Sequence, residues 1–323
     1  MIGDGMGVTH VYAGMTANRG HLFIENFKSV GFAKTNSASN YITDSAASGT
    51  ALASGKKTYN GAIGVDTNRQ IVKNIIEDAI ENDIATGLVS TSAITHATPA
   101  SFISHQASRN YYEAIAADFL KTDIDVFIGG GYNNFTKRKD GRNLVEELEE
   151  KGYKVLQDIN KIKKIKKGKL AGLAAPDHMP RAHERGDMLP VATKTAINIL
   201  DKDDDGFFLM VEGSQIDWAA HDNNTEYVVS EVLDFDRTIG EVLKFASKDG
   251  ETLVIVTADH ETGGFSIIGG NMNTGVVAGE FGTLGHTSVM VPVFAYGPGA
   301  EKFTGIIDNT DIHKKIKELL IEN

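Results

Sequence analysis

Two hydrophobic rhythms alternate along the chain. In residues 69–82 (RQIVKNIIEDAIEN) apolar positions recur every three to four residues, which predicts an amphipathic helix. The short apolar run 85–92 (ATGLVSTS) that follows predicts a strand. The same succession returns downstream. A helix is expected over 111–120, then a strand over 124–131 that ends in a glycine turn, then a helix over 142–151. Helix 189–201 precedes strand 206–213, and the longer helix 226–247 precedes strand 252–260. A strand over 291–299 and a helix near 311–321 close the chain. Apolar strands alternating with helices predict an α/β fold, a three-layer α/β/α sandwich with a largely parallel sheet covered on both faces. Ligands in such folds bind beyond the C-terminal ends of the strands. The polar residues that follow the apolar stretches are Asp4 after the first, Glu212 and Asp217 after FFLMV, and Asp259 and His260 after TLVIVTA.

Composition narrows the choice of chemistry. With 323 residues, 41% hydrophobic and 23% charged, the chain can build a sizeable core. Lys+Arg 32 against Asp+Glu 43 gives 32 − 43 = −11, which argues against a nucleic-acid partner held by the overall field. An anionic substrate would need metal ions or a few placed cations. The absence of cysteine excludes disulfides and thiolate metal sites. No apolar run is long enough to span a membrane. Gly 34, Pro 6 and only 8 Arg among 32 basic residues suit a protein that works in the cold. The sequence opens MIGDGMG, a glycine-rich loop of the kind that follows a strand. A longer first strand and a removed leader are therefore expected to precede Met1.

Several motifs are weaker than they look. Residues 201–212 (DKDDDGFFLMVE) fit a calcium-loop pattern, but the second half reads as a buried strand where a helix is required. In GDGMG an acid stands where a pyrophosphate would lie, so Asp4 reads better as a ligand itself, with Gly3 and Gly5 allowing close approach. His178 and His183 fall in a loop rich in Pro, Arg and Gly, and His10, His21, His105 and His313 read as structural or surface residues. The lysine run 161–169 reads as a solvated connection.

What remains is a set of hard metal ligands: Asp4, Glu212, Asp217, His221, Asp259, His260 and His286. Asp217 and His221 are four apart and share a face on a helical turn. Asp and His donors suit an open zinc site, and Glu212 with hydroxyl ligands suits magnesium. Upstream lies 43-TDSAASGTALASG-55, a small-residue helix headed by Thr43, Asp44 and Ser45, with Thr43 or Asp44 as its cap. Its free N–H groups and dipole favour an anion at Ser45.

The segments GDGMG, TDSAASGTALASG, HATPASFISHQASR, VEGSQIDWAAH, TADHETGG and GHTSVMVPVFAYGPGA, in this order over residues 3–299, resemble the alkaline phosphatase family. The resemblance implies one catalytic domain over 1–323 with a short crown-like insertion about 263–285. It implies a broad phosphomonoester hydrolase, most active at alkaline pH, with two zinc ions and one magnesium. By the same resemblance Ser45 is the nucleophile and Arg109 clamps the phosphate. Asp4, Ser45, Asp259 and His260 hold one zinc, Asp217, His221 and His286 the other, and Asp4, Thr98 and Glu212 the magnesium. Two positions depart from the best-known bacterial pattern: His96 replaces an Asp and Trp218 a Lys, a combination similar to a marine, cold-adapted subgroup. His96 is expected to weaken magnesium binding or admit zinc, and Trp218 to ease release of phosphate. A periplasmic or secreted homodimer is the family expectation. A sulfatase would need a modified Cys or Ser before x-Pro-x-Arg, which 45-SAASG-49 lacks. Thr98, Glu212 and Arg109 favour a monoesterase over a diesterase, and a full catalytic set disfavours a mere phosphate or metal binder.

Overall fold

The computed structural model describes residues 1–322. Its strands are β1 (Ile2–Gly3), β2 (Ser29–Lys34), β3 (Ala85–Ala93), β4 (Val126–Gly130), β5 (Lys154–Leu156), β6 (Leu170–Leu173), β7 (Phe207–Gly213) and β8 (Val254–Thr257). They continue as β9 (Glu261–Thr262), β10 (Phe265–Asn271), β11 (Val276–Phe281), β12 (His286–Thr287), β13 (Val291–Tyr296) and β14 (Gly305–Asp308). Ten form one sheet in the order β14-β2-β13-β8-β1-β7-β3-β4-β6-β5. All its pairings are parallel except those of β13, which runs against both β2 and β8. Among the described residues no crossover helix lies between β8 and β13, the usual route to a parallel neighbour, in keeping with the lack of a predicted helix there.

The central strands β3 and β4 are buried along their whole length, and in β3 the hydroxyls of Thr86, Ser90, Thr91 and Ser92 are buried with the apolar residues. Helix Met188–Leu200 packs on β3, β4 and β7 and on the long helix Thr225–Asp249, while helix Asn309–Ile321 packs on helix Ser45–Ser54. The helix expected from residue 69 begins at Ile75. Asn74 Oδ1 accepts from Glu77 N at 3.1 Å and Glu77 Oε2 accepts from Asn74 N at 2.9 Å, a reciprocal cap that fixes the start. Upstream, Arg69 at φ 62° turns the chain so that Val65 bridges Ile71, and no helix can run through it. Helix Val8–Ala17 and strands β2, β5, β6 and β14 were not anticipated. Residues 201–206 make a turn, with Gly206 at φ 90°, that feeds β7.

The strand ends carry the predicted polar residues to one edge. β1 lies between β7 and β8, with Ile2 opposite both Glu212 and Thr257. Asp4, Glu212 and Asp259 therefore leave the sheet side by side. The segment between His260 and His286 is a two-stranded ribbon, β10–β11, whose neck is closed by β9 pairing with β12.

Candidate active site

Ser45 begins a helix that is buried along its whole length, Ser45–Ser54. Asp44 caps it, its Oδ1 accepting from Ala47 N at 3.0 Å, which leaves Ser45 at the positive end of the helix. Small side chains behind Ser45 permit tight packing: a Cβ on Gly49 would meet Ser101 Oγ at 2.8 Å. The helix is also tied to a strand end. Ser48 Oγ donates to the Asp259 carbonyl at 2.6 Å and receives from Asn309 Nδ2 at 3.1 Å. The nucleophile candidate and the Asp259–His260 pair thus belong to one rigid unit.

Around Ser45 stand three groups of side chains, each able to bring its ligand atoms within 4.8 Å of one another: Asp4/Asp259/His260, Asp217/His221/His286 and Asp4/His96/Glu212. Asp4 belongs to two of them. In the inner group His260 Nε2 lies 3.2 Å from Asp259 Oδ2, 3.5 Å from Asp4 Oδ1 and 3.3 Å from Ser45 Oγ. Asp259 Oδ1 accepts from Gly5 N at 3.1 Å and His260 N at 3.0 Å. In the outer group His221 Nε2 and His286 Nε2 are 3.1 Å apart and lie 3.3 and 3.5 Å from Asp217 Oδ1. Their Nδ1 atoms face backbone carbonyls, Leu284 O at 2.5 Å and Thr43 O at 2.9 Å. A carbonyl only accepts, so each Nδ1 carries hydrogen and each Nε2 points inward, the orientation metal-ligating histidines adopt. In the third group Glu212 Oε2 accepts from Ser90 Oγ at 2.6 Å, and Thr98 Oγ1 donates to Asp4 Oδ2 at 3.4 Å.

Asp4 Oδ1, Glu212 Oε1 and Asp259 Oδ2 are buried with no hydrogen-bond partner among the described residues. Buried unpaired oxygens are costly and call for a cation. Burial raises Asp4 well above the usual carboxylate range, and Asp259, Asp217 and Glu212 add to it. Burial likewise pushes Glu212 up to about 7. Burial would raise Asp217 too, but the His221 hydrogen bond and the facing imidazoles hold it low. His221 is raised to about 9 by its bond to Asp217, whereas burial and then His260 lower His286 to about 4. The extra proton is therefore held on His221, facing Asp217, while His286 stays neutral. Carboxylates and imidazoles without thiolates make a donor set that fits zinc or magnesium.

Arg109 reaches the same place from a loop held by its backbone N–H on Gly61 O at 2.7 Å. Its Nη1 donates to Asp44 Oδ2 at 3.0 Å and its Nη2 to His96 Nε2 at 3.2 Å. Burial, followed by Arg109 and His178, lowers His96 to about 3, which keeps it a neutral acceptor. His96, expected both to bear on the magnesium site and to lie near substrate, falls in the third ligand group and bonds Arg109. Trp218 stands over it, ring centroids 5.9 Å apart.

Some participants were not foreseen. Thr262 Oγ1 donates to Asp217 Oδ1 at 2.5 Å and lies 3.2 Å from His260 Nδ1, joining the inner and outer groups through one hydroxyl. It is two residues beyond His260, and i, i+2 spacing on a strand was the available signal. Glu261 accepts from Phe265 N at 3.0 Å and from Thr287 Oγ1, which steadies the strand bearing His286. His178 is not merely a loop residue, since its ring lies 4.7 Å from Trp218. His183 is exposed beside Glu184, and His105 bonds Gly64 O and Glu77, in keeping with the structural reading.

Known proteins resemble this chain in sequence and fold. The alkaline phosphatase family profile matches residues 1–280. Alkaline phosphatase 4 of Bacillus subtilis (strain 168) is 38% identical over 96% of this chain and 86% of its own length. Alkaline phosphatase 3 of the same organism is 37% identical over 100% of this chain and 88% of its own. The structure of alkaline phosphatase from the Antarctic bacterium TAB5 superposes with a TM-score of 0.93 at 43% identity, covering 99% of this chain and 96% of that one. A substituted TAB5 enzyme has been solved with Mg bound in its M3 site.

Proposed function

The chain belongs to the alkaline phosphatase family of phosphomonoester hydrolases, and from that premise we propose that Ser45 is its nucleophile, working among two zinc ions and one magnesium with an alkaline optimum. The observation that carries this reading is the position of Ser45 Oγ. It heads a buried helix, 3.3 Å from His260 Nε2, among carboxylate oxygens without partners. One zinc would be held by Asp4, Ser45, Asp259 and His260, the other by Asp217, His221 and His286. Magnesium would be held by Asp4, Thr98 and Glu212, and the Mg in the TAB5 variant supports such an ion in this fold. His96 puts a neutral imidazole, its Nε2 taken by Arg109, where a carboxylate would help hold magnesium, so magnesium should bind weakly there. When bound, these ions would supply Lewis acidity and positive charge, lowering the serine pKa and neutralising charge on the reacting oxygens.

The residues then divide the work. Ser45 Oγ attacks phosphorus as the bond to the leaving oxygen breaks, giving a phosphoserine. Water displaces Ser45 Oγ and frees inorganic phosphate. Arg109 keeps a second hydrogen on each terminal nitrogen after bonding Asp44 and His96, so its fork can take two phosphate oxygens. The helix dipole at Ser45 favours the dianion. Recognition centres on phosphate, which predicts broad specificity for phosphomonoesters. Trp218, standing where a cation would tighten phosphate, favours product release. Family likeness supports a periplasmic or secreted homodimer; among the described residues no helix is long and apolar enough to cross a membrane.

Hydrolysis of p-nitrophenyl phosphate at pH 7 and pH 10, with zinc and magnesium or with EDTA, tests the reading. Turnover should rise with pH, require metal and vanish in Ser45→Ala. Turnover that survives Ser45→Ala would remove the serine from the mechanism.

A further inference from the structure

His178 lies on the connection from β6 to helix Met188–Leu200, and this connection is held at many points. Gly130 lets it approach so closely that a Cβ there would fall 2.0 Å from Asp177 O. Asn133 Nδ2 donates to Asp177 Oδ1 at 3.0 Å, and Gln215 Nε2 donates to Met179 O at 2.7 Å. Arg181 lies 4.0 Å over the Tyr227 ring, and Arg185 is buried against Glu231 and Asp234. His178 itself accepts from Ala93 N at 3.0 Å through Nδ1. The ring is therefore the neutral tautomer with hydrogen on Nε2.

That ring is edge-on to two others: Trp218 at 4.7 Å and 79°, and His96 at 5.5 Å and 84°. His96 and Trp218 close the triangle at 5.9 Å and 87°. His96 is the residue that receives Arg109 Nη2, and Arg109 Nη1 binds the Asp44 that caps the Ser45 helix. An imidazole can turn about its side-chain torsions, so the Arg109 bond is only as well aimed as the packing that holds His96.

We propose that His178 is a positioning residue for the phosphate clamp: by packing edge-on against His96 and Trp218 it fixes the imidazole that receives Arg109, and so fixes where the guanidinium stands. The inference rests on Arg109 being the clamp. It assigns His178 no contact with phosphate and no metal.

The test is a double-mutant cycle in the metal-loaded enzyme, reading p-nitrophenyl phosphate kinetics, inhibition by inorganic phosphate, metal content and melting temperature. His178→Ala should raise KM and the phosphate inhibition constant by about tenfold, the scale of one weakened hydrogen bond to a charged group, with kcat changed less and metal content unchanged. His178→Phe should restore most of the loss by restoring the ring edge. In a His96→Ala background His178→Ala should add nothing. An unchanged inhibition constant, an equal loss in both backgrounds, or a loss explained by missing metal would each overturn the proposal. Should His178→Ala fail to fold, His178→Asn keeps an acceptor for Ala93 N–H, removes the ring and is read the same way. A parent protein that does not turn over would count against the phosphatase reading; a parent that does, with unchanged phosphate affinity in the variants, counts against His178 alone.

Discussion

Two of the groups of buried charge in this molecule are resolved in opposite ways. Beneath the long helix, Arg185 meets Glu231 and Asp234 at 2.5 and 2.6 Å, with side chains 1%, 1% and 0% exposed. Ala182 N and Arg237 satisfy the remaining oxygens at 2.8 and 2.7 Å. That group is complete within the chain. At the strand ends Asp4, Asp259 and Glu212 are equally buried, yet each keeps an oxygen without a well-formed hydrogen bond, and the single imidazole of His260 stands between Asp4 and Asp259. The first group is architecture. The second is an invitation to cations, and the cost of its incomplete pairing is carried by the fold until they bind.

Substitution should separate the two. Asp4→Asn is expected to cause the largest effect, lowering phosphatase activity by about a thousandfold or more, because Asp4 stands in two ligand groups and charge stabilisation at the reacting atoms is lost. In metal-free protein at alkaline pH the same change should raise the melting temperature, since a buried carboxylate crowded by Asp259, Asp217 and Glu212 has lost its charge. A fall would show that Asp4 is satisfied without metal. Arg185→Ala should do the reverse. It leaves two buried acids unpaired and should lower stability by about 3–5 kcal/mol, read by urea unfolding, while the folded fraction keeps its zinc. A cost below about 1 kcal/mol would mean that water replaces the guanidinium.

The smallest effect concerns the outer ligand group. His221 is raised from 6.5 to about 9 by its bond to Asp217. The stabilisation its proton gives the metal-free fold is complete below 6.5 and is lost as pH rises through about 9. A zinc ion must displace that proton, so zinc affinity there should rise about tenfold per pH unit between 7 and 9. Competition titrations against a chelator at several pH values check this, and a flat profile would mean that His221 is not a ligand.

What could be read in the sequence follows from range. The buried strands β3 and β7 and the helix Thr225–Asp249 declare themselves through local periodicity, and Asp4, Glu212 and Asp259 through their place after strands. Ser45 needed the likeness of its whole segment to a known family, since a serine in an alanine run has no distinctive pattern. Helix Val8–Ala17 escaped because Gly, Ala and Thr interrupt its apolar stripe. The reversal of β13 is marked only by what is missing, a helix between β8 and β13. Thr262 and His178 escaped for a common reason: hydroxyls and imidazoles are abundant on surfaces, and only packing between distant segments brings these two to the centre.

The closed neck of the β10–β11 ribbon has an evolutionary and practical consequence. Thr262 pairs with His286 and Glu261 with Thr287, so the chain between them leaves the core and returns through a fixed doorway. Doubling the length of such an excursion costs only about 0.6 kcal/mol in closure entropy. The ribbon is therefore a port at which sequence can be added, exchanged or fused while the residues on either side of the doorway keep their register.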